Sequence, residues 1–413
     1  MKRIKRKVVV IGGGPAGLAA AISAKKAGCD DVLLIERARI LGGILNQCIH
    51  DGFGLHRFKE ALSGPEYAQR FIDEFRSLDI DVMTETIVLT MDRRRVLQVS
   101  SKAGLLEIQA GAVVLAMGCR ERTAGAISLP GTRPAGVYTA GFAQNVMNLE
   151  NMMVGKRAVV LGSGDIGLIM ARRLTLEGAK VLAVFEILPY SSGLPRNIQQ
   201  CLNDYDIPLF LSTTVIKIHG EHRIDGVTVA QVDDRMQPIQ GTERYLDCDT
   251  LLLSVGLIPE NELSQEAGVR LNPLTNGAFV DDTLMTSVPG VFACGNVLHV
   301  HDLVDHVSAE ADSAGKNAAD YVQKGKNDPK IRIPVTPGEG IRYTLPQTIS
   351  GKRDVTLSFR VEEPARNRRV MVCDGDRVVK RKKVIRLHPA EMVQIPLKKD
   401  ILKDVRSLKV YVE

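Results

Sequence analysis

Two stretches of the chain carry glycines at the spacing that lets a backbone turn hold a phosphate. They follow the pattern G-x-G-x-x-G and comprise Gly12, Gly14 and Gly17 in the first stretch and Gly162, Gly164 and Gly167 in the second. In such a cradle the first glycine makes a tight turn, the second lets backbone N–H groups approach a pyrophosphate, and the third lets helix and strand pack closely. With 37 glycines in 413 residues, about 0.3 matches would arise by chance, so the surrounding sequence has to support the motif.

A glutamate follows each glycine motif at the same distance. Glu36 is spaced from Gly17 as Glu186 is from Gly167, and each glutamate ends an apolar stretch. A carboxylate at this point accepts hydrogen bonds from ribose hydroxyls and repels a 2′-phosphate. Because no arginine directly follows Glu186, the second motif favours NAD(H) over NADP(H). The alternative is that these are glycine turns in an α/β protein that binds no nucleotide. It requires both glycine motifs to have a glutamate at the same spacing by chance.

The elements around the two motifs repeat as well. Each motif is preceded by an apolar strand and followed by a helix and a second strand, predicted at 7–11, 18–28 and 32–36 and again at 158–161, 168–178 and 181–186. The constant offset between the two sets indicates an internal duplication. A further Ala-rich helix is predicted between Asn296 and about Gln323. The predicted fold class is α/β, with two Rossmann-like dinucleotide-binding domains.

Composition sets the broad class of the protein. The apolar fraction of 45% and the charged fraction of 25% are those of an ordinary globular chain, and 413 residues suggest two or three domains. No apolar run approaches the roughly 18 residues of a membrane span, so we expect a soluble protein. The seven cysteines are scattered without a C-x-x-C pair. A reducing cytoplasm is therefore expected, without a disulfide framework or a zinc site.

The last part of the chain differs in composition. After a predicted polar linker at 324–330, six segments alternate apolar with polar residues and predict a small antiparallel β-sandwich or barrel at 331–413, the segments being 341–345, 355–361, 369–373, 377–387, 392–397 and 408–412. This part carries 19 Lys and Arg against 10 Asp and Glu, a net charge of +9, whereas the preceding part, 1–330, carries −3. The basic part is either a solvated face or a docking surface for an acidic partner. A nucleic-acid surface would add interleaved aromatic residues, so no nucleic acid is expected.

Three further segments carry a resemblance to a known family. They are Val113-Val114-Leu115-Ala116-Met117-Gly118, Leu251 to Gly256, and Gly290-Val291-Phe292-Ala293-Cys294-Gly295-Asn296. With the two glycine motifs, they resemble the pyridine-nucleotide-dependent flavoproteins that include disulfide reductases, ferredoxin reductases and NADH oxidases. The resemblance covers roughly residues 7–325. It implies that FAD binds to residues 1–120 and 270–325 and that an NAD domain, 121–269, is inserted between them.

The resemblance also implies which residues contact the cofactors. Asn296 stands where the family usually has Asp, and its amide can still hydrogen-bond a ribityl hydroxyl. A helix beginning after His306 would point its N-terminus at the flavin and favour hydride acceptance at N5. The expected cofactor-binding residues are Gly12, Gly14, Pro15, Ala16, Gly17, Glu36, Arg37, Gly43, Gln47, Ala116, Gly118, Gly162, Gly164, Asp165, Ile166, Gly167, Glu186, Gly256, Gly295 and Asn296.

The loop at 41–58 departs from the disulfide reductases, because their paired cysteines are absent and Cys48 stands alone. Cys48 is either a wall residue of the flavin pocket or a peroxide-reactive thiol. The expected catalytic candidates are Cys48, His50 and His301. His301 belongs to a cluster with His299, His306, Asp302 and Asp305, which is either a polar lining of the site or a metal site, and we expect no metal. His388-Pro389 resembles the reductases' catalytic pair but lacks a dithiol to serve.

A closer resemblance rests on 46–54, 118–122 and 294–297, which look like the NAD/FAD oxidoreductase subunits of multi-component dehydrogenases. Heteromeric sarcosine oxidase, opine oxidase, hydrogen cyanide synthase and anaerobic glycerol-3-phosphate dehydrogenase contain such subunits. The resemblance implies hydride exchange between nicotinamide and flavin in a hetero-oligomer. The expected partners are a small redox protein and a second flavin-dependent dehydrogenase subunit. The alternatives are a stand-alone NADH oxidase or peroxidase using Cys48, and a non-catalytic flavin-binding assembly protein.

Overall fold

A computed structural model describes residues 2–325 and 332–413. Most of the predicted linker at 324–330 therefore lies outside the described residues. The chain divides into two compact units, one formed by residues 1–119 with 259–413 and the other by residues 120–258. In the described residues, no helix is long and apolar enough to cross a membrane.

The first unit begins with a sheet whose central strands are buried apolar segments. Its elements are β1 (Lys2–Ile11), α1 (Pro15–Lys26), β2 (Val32–Ile35), β3 (Asp51–Phe53), β4 (Leu62–Ser63), α2 (Gly64–Ser77), β5 (Asp81–Met83), β6 (Ile87–Met91), β7 (Val96–Ser101) and β8 (Gly104–Leu115). The strand order is β5-β2-β1-β8-β7-β6, parallel from β5 to β8 and antiparallel beyond. The β1 residues Val8, Val9 and Val10 are fully buried, as expected for a parallel strand covered on both faces. The carboxyl ends of β1 and β8 therefore open onto the turn that starts α1.

The second unit repeats this architecture. Its elements are β9 (Cys119–Glu121), β10 (Val137–Thr139), α3 (Ala140–Asn148), β11 (Arg157–Leu161), α4 (Asp165–Leu176), β12 (Lys180–Phe185), α5 (Pro195–Cys201), β13 (Leu209–Phe210), β14 (Thr213–His219), β15 (Gly226–Gln231), β16 (Arg244–Asp247), β17 (Thr250–Leu253) and β18 (Leu257–Pro259). A parallel sheet has the order β10-β17-β11-β12-β13, and β14, β15 and β16 form an antiparallel sheet. The predicted duplication is confirmed, because β11, α4 and β12 correspond to β1, α1 and β2.

The chain then completes the first unit. It adds α6 (Glu262–Glu266), β19 (Val291–Ala293) and α7 (Val304–Lys324). Strand β19 pairs in parallel with the end of β8, and α7 packs against α1 so closely that a side chain at Gly315 would overlap the backbone of Ala20. Helix α7 begins at Val304 and not after His306, so the predicted start was wrong and His306 lies in the first turn. Asp305 in that turn accepts the N–H of Arg57, which fixes the helix start against the loop at 41–58.

The C-terminal strands form a two-sheet sandwich. They are β20 (Ile333–Pro337), β21 (Ile341–Leu345), β22 (Thr348–Ile349), β23 (Val355–Val361), β24 (Ala365–Asp374), β25 (Arg377–Leu387), β26 (Val393–Leu397) and β27 (Leu408–Val412). The sheets have the orders β22-β20-β27-β24-β25 and β21-β23-β26, and residues from both share one apolar core. The predicted antiparallel sandwich is present, with one difference: β20 and β27 pair in parallel, whereas the other strand pairs are antiparallel.

The sandwich packs directly on the first unit's α/β domain. The Arg360 guanidinium donates to the carbonyl oxygens of Val300 at 3.0 Å and Pro389 at 2.9 Å. Ser350 donates through its N–H and hydroxyl to Asp282. The bonds to Val300 and Asp282 join the sandwich to the segments on either side of β19, whereas the bond to Pro389 lies within the sandwich.

Candidate functional site

The first glycine turn is shaped by the protein's own backbone at two of its three glycines. Gly12 has φ of +106°, and a Cβ there would overlap the carbonyl oxygen of Ala116. A Cβ on Gly17 would overlap the carbonyl oxygen of Gly12. Any side chain at either position would push β1, β8 and α1 apart, so the fold itself requires both glycines.

Gly14 is different, because the folded chain leaves room for a side chain there. It caps α1 with φ of −78° and ψ of −171°, which any residue adopts. A Cβ would meet no atom nearer than the Cα of Gly43, at 3.8 Å. The open volume lies at a helix N-terminus, where unpaired N–H groups and the helix dipole favour an anion. The glycine is therefore explained by a group that fills this space and not by the fold.

Glu36 is held at the edge of the same turn. Its buried carboxylate accepts from the N–H of Gly13 at 2.5 Å and from the N–H of Ala38 at 2.7 Å. A carboxylate has about four acceptor positions, so capacity for ribose hydroxyls is left. Arg37 beside it is exposed. The fixed carboxylate next to the open volume fits the adenosine end of a dinucleotide.

The opposite wall comes from β8 and from the turn after β19. Ala116 and Gly118 follow β8, and Gly295 begins a short turn in which a Cβ would crowd the side chain of Ala16. The Asn296 side chain accepts from the N–H of His301 at 3.0 Å and donates to the Cys119 sulfur at 3.7 Å. Asn296 thus lies at this wall, and part of its hydrogen-bonding capacity already binds protein groups.

The second glycine turn rests on a serine that the sequence did not single out. A side chain on Gly162 would overlap the backbone of Ser254, and a side chain on Gly167 would overlap the side chain of Ser254. The Ser254 hydroxyl accepts from the N–H of Gly167 at 3.1 Å. A Cβ on Gly164 would come within 3.0 Å of the same hydroxyl. Ser254 follows β17 directly, as Ala116 follows β8. The signal that could have found it is this equivalent position in the duplication.

Glu186 occupies the position that Glu36 has in the first turn. It is 4% exposed and accepts from the Ser163 N–H at 3.0 Å, the Ser163 hydroxyl at 2.5 Å and the Ser192 hydroxyl at 2.9 Å. Its other oxygen accepts from the N–H of Leu188 at 3.1 Å. The carboxylate is thus fixed at the end of β12, and one acceptor position on this second oxygen remains for a hydroxyl.

Two other residues expected at the second turn have different surroundings. The Asp165 side chain accepts from the Leu194 N–H at 2.7 Å and the Asn197 amide at 2.6 Å, so it fixes the loop after β12. Because the Asp165 carboxylate is occupied, Asp165 and Ile166 could contact a phosphate through their backbone groups at the start of α4. Gly256 follows β17 with φ of +100°. The turn therefore fits a dinucleotide through backbone groups and Glu186.

Cys48 ends a short turn, Gly43–Gln47, that passes under Gly14. The thiol is buried and donates to the Ile44 carbonyl oxygen at 3.3 Å. Burial raises the pKa of Cys48 to about 12. A peroxide-reactive cysteine needs its thiolate, which is nearly absent at neutral pH at such a pKa. Gln47 is also buried, and the half-buried His50 ring packs against Phe53 with 5.0 Å between ring centroids.

A Cys48→Ser variant is expected to keep NADH-dependent dye reduction within about twofold and to leave peroxide turnover unchanged, because the thiol supplies no thiolate. The measurement is NADH turnover with a dye and with hydrogen peroxide, using Cys201→Ser as the control because Cys201 is also buried but belongs to the second unit, whereas the first glycine turn belongs to the first. Peroxide turnover that disappears only in Cys48→Ser would contradict this interpretation.

The histidine cluster is organised by a glutamate that sequence reasoning missed. Glu310, on α7, accepts from the Gly295 N–H at 2.7 Å and lies 2.8 Å from His299 Nε2 and 3.6 Å from His301 Nε2. His299 Nδ1 lies 3.2 Å from the Tyr343 hydroxyl of the sandwich. The ligand atoms of His299, His301 and Glu310 lie within 4.8 Å of one another, a spacing that a metal ion could bridge. In the structure the carboxylate is paired with the imidazoles.

The cluster makes the folded state sensitive to acid. Burial lowers the pKa of His299 below its usual 6.5. Burial alone would raise the pKa of Glu310, but the adjacent His301 and His299 bring it well below its usual 4.5. Below pH 6.5 the unfolded histidine binds a proton that the folded one does not, and below 4.5 the same holds for the glutamate. Both groups therefore remove stability as the pH falls.

We expect the melting temperature to fall as the pH falls below about 6.5 and more steeply below about pH 4.5, as measured by scanning calorimetry. His299→Ala should cost about 2 kcal/mol at pH 8, because the buried Glu310 carboxylate loses its hydrogen bond from the neutral imidazole, and should flatten the loss of stability below pH 6.5. His222→Ala, at an exposed position, is the control and should change neither. A His299→Ala protein with the stability of the wild type would refute this account.

Comparison with known proteins gives this geometry a family. The pyridine nucleotide-disulphide oxidoreductase profile matches residues 6–318. The hydrogen cyanide synthase subunit HcnB of Pseudomonas protegens is 25% identical over 71% of this chain and 64% of its own length. An opine oxidase subunit of Agrobacterium tumefaciens is 25% identical over 64% of this chain and 55% of its own. The chain thus spans less than two thirds of the length of these relatives.

A solved structure supports the fold. Thioredoxin reductase of T. acidophilum superposes with a TM-score of 0.63 at 22% identity, over 76% of this chain and 98% of its own. Both glycine turns and the wall formed after β8 and β19 fall within the matched family region. The chain therefore belongs to the pyridine nucleotide-disulphide oxidoreductase family, whose members are FAD-dependent NAD(P)H oxidoreductases.

Proposed function

We propose that the chain is the NAD(H)-linked flavoprotein subunit of a multi-component dehydrogenase. FAD binds in the first glycine turn and NAD(H) in the second, and electrons are exchanged with a partner dehydrogenase through a small redox protein. The single observation that carries the proposal is the open volume at Gly14, which the fold does not require and which lies beside the fixed carboxylate of Glu36. Two of the relatives are named as subunits, which supports the proposal that this chain belongs to a multi-component enzyme.

The residues present suit a flavin dinucleotide. The N-terminus of α1 and the Gly14 N–H would bind the pyrophosphate, Glu36 a ribose, and Asn296 a ribityl hydroxyl. When bound, FAD supplies the acceptor that takes a hydride from the nicotinamide. The chain's own contribution is to bind and orient both nucleotides: the fixed Glu186 carboxylate favours a ribose with free hydroxyls, and the N-terminus of α7 favours negative charge nearby. No acid–base residue is required for this exchange, so His50 and His301 are proposed as lining and not as proton donors.

The structure gives the alternatives less support. A peroxidase would need Cys48 as a thiolate, and its pKa of about 12 opposes that. The seven cysteines are thiols in the described structure, and six of them are buried, an arrangement that suits the reducing cytoplasm we propose as the location. An assembly protein would bind flavin without reacting with NADH.

Anaerobic stopped-flow mixing of the flavin-loaded protein with NADH tests the proposal. Loss of the flavin absorption band within seconds, followed by reduction of the co-purified dehydrogenase only when this chain is present, is the expected result. Flavin that NADH does not bleach would favour the assembly protein. Fast bleaching with strong peroxide turnover and no partner-dependent step would favour the stand-alone enzyme.

A further inference from the structure

The C-terminal sandwich ends on one side in an unusually basic hairpin. Strands β24 and β25 and their turn, residues 365–387, carry nine Lys and Arg against two Asp, a net charge of +7. We call this segment the basic hairpin. Strand β25 is the edge of its sheet, paired on one side only with β24. Most of its side chains are exposed on both faces of the strand.

The pairing register places like charges directly opposite each other. Arg366 faces Arg386, and Arg369 faces Lys383. Opposed like charges weaken a β-ladder. Arg369 has Glu413 at 3.6 Å, but Arg366 and Arg386 have no acidic side chain within ion-pair distance in the described part of the chain. The isolated subunit thus carries a local repulsion that an external negative charge would relieve.

One apolar side chain stands out within this charge. Ile385 in β25 is 83% exposed, more than any other large apolar residue described. Lysine on an edge strand is a common protection against strand-to-strand aggregation. Protection against aggregation explains neither the opposed arginines nor the solvent-exposed Ile385 beside them. These features together are those of an interface whose partner is absent.

We propose that the basic hairpin is the docking surface for an acidic protein surface of the partner dehydrogenase. The inference rests on the proposed function and names the surface through which the complex forms. The hairpin contains no Phe, Tyr, Trp or His, so there is nothing on which nucleic-acid bases could stack. Ile385 requires an apolar contact that a phosphate backbone does not provide. A carboxylate-rich protein surface with an apolar centre satisfies both needs.

The test is charge reversal in the full-length protein. Lys383→Glu with Arg386→Glu turns both repulsive pairs into attractive ones. Lys352→Glu with Lys399→Glu makes the same change of net charge at exposed positions of the sandwich outside the hairpin. Point changes are preferable to truncation, because removing the sandwich would also remove Tyr343 from His299.

The hairpin variant should bind the co-purified dehydrogenase at least about tenfold more weakly, while its melting temperature is no lower than that of the wild type and its NADH-to-dye turnover is unchanged. A merely structural hairpin could not give that combination of unchanged folding and lost binding. The control variant should bind like the wild type, and raising salt from about 0.05 M to about 0.5 M should weaken wild-type binding.

Carbodiimide coupling, which joins lysine amines to carboxylates, identifies the contact directly. Lys380, Lys382 and Lys383 should couple to Asp or Glu of the dehydrogenase component. Equal partner-dependent turnover by wild type and hairpin variant would overturn the docking inference and leave the proposed function standing. Hairpin-dependent binding to a short duplex DNA or to phosphatidylserine vesicles, without these cross-links, would also overturn it. Failure of NADH to bleach the flavin would count against the proposed function alone.

Discussion

A Gly14→Val variant is expected to fold and to purify with less than about a tenth of the wild-type FAD content. The folded chain has room for the new side chain, since a Cβ at this position lies 3.8 Å from the nearest atom, the Cα of Gly43. The branched side chain would occupy the space in which the pyrophosphate has to approach the helix N-terminus. The ratio of flavin to protein absorbance, together with the melting curve, measures both parts of the expectation.

Two matched variants separate loss of the cofactor from loss of the fold. Gly125 is equally open, with its nearest atom also at 3.8 Å from a Cβ, and Gly125→Val should keep both fold and flavin. Gly17→Val should not fold, because its side chain would overlap the carbonyl oxygen of Gly12. A Gly14→Val protein with full flavin content would show that the first glycine turn does not hold FAD.

NADH should reduce the bound flavin at least about fivefold faster than NADPH at equal subsaturating concentration. Glu186 is 4% exposed and fixed by four hydrogen bonds, so it cannot turn away from a 2′-phosphate. Two like charges about 4 Å apart repel by about 4 kcal/mol at an effective dielectric constant near 20. A quarter of that energy, about 1 kcal/mol, already gives about fivefold selectivity. Anaerobic stopped-flow reduction with each cofactor measures the ratio.

The duplication supplies the control for this second prediction. Glu186→Gln should bring the two rates closer together by several-fold, because it removes the charge but keeps the size of the side chain. Glu36→Gln makes the same change in the first turn and should lower flavin content while leaving the NADH-to-NADPH ratio of the loaded fraction unchanged. Equal rates with the wild type, or faster reduction by NADPH, would refute the role given to Glu186.

The sequence predicted the parts of the fold that local rules determine. Glycine spacing and apolar strands gave both cradles, and the strands at 341–345, 355–361, 377–387 and 408–412 have the predicted bounds. Alternating polarity could not show that β20 and β27 pair in parallel, because a strand's pattern reports its buried face and not its neighbour. The start of α7 was misjudged for a similar reason: its first turn is fixed by Asp305 binding the distant loop at Arg57.

The site residues that the sequence did not predict have a common property: the residues they contact are distant in the chain. Ser254 closes a turn that begins much earlier, at Gly162, and Tyr343 reaches His299 from another domain. Glu310 lies on a polar stripe of α7, where a glutamate is unremarkable until folding buries it beside two histidines. Asp165 shows a related limit: the motif places its backbone at the second cradle, but the spacing could not show that its side chain binds Leu194 and Asn197.

The pairing of β19 with β8 also determines when the first cradle can exist during synthesis. Leu115 ends β8, and the strand that pairs with it begins only at Val291. A ribosome needs about 9–35 s to make the interval between them, at about 5–20 amino acids per second. The whole second unit, residues 120–258, leaves the exit tunnel in the meantime and can fold first. The second unit can therefore be folded before the first cradle is complete, and we expect the proposed FAD site to form late in translation or after it.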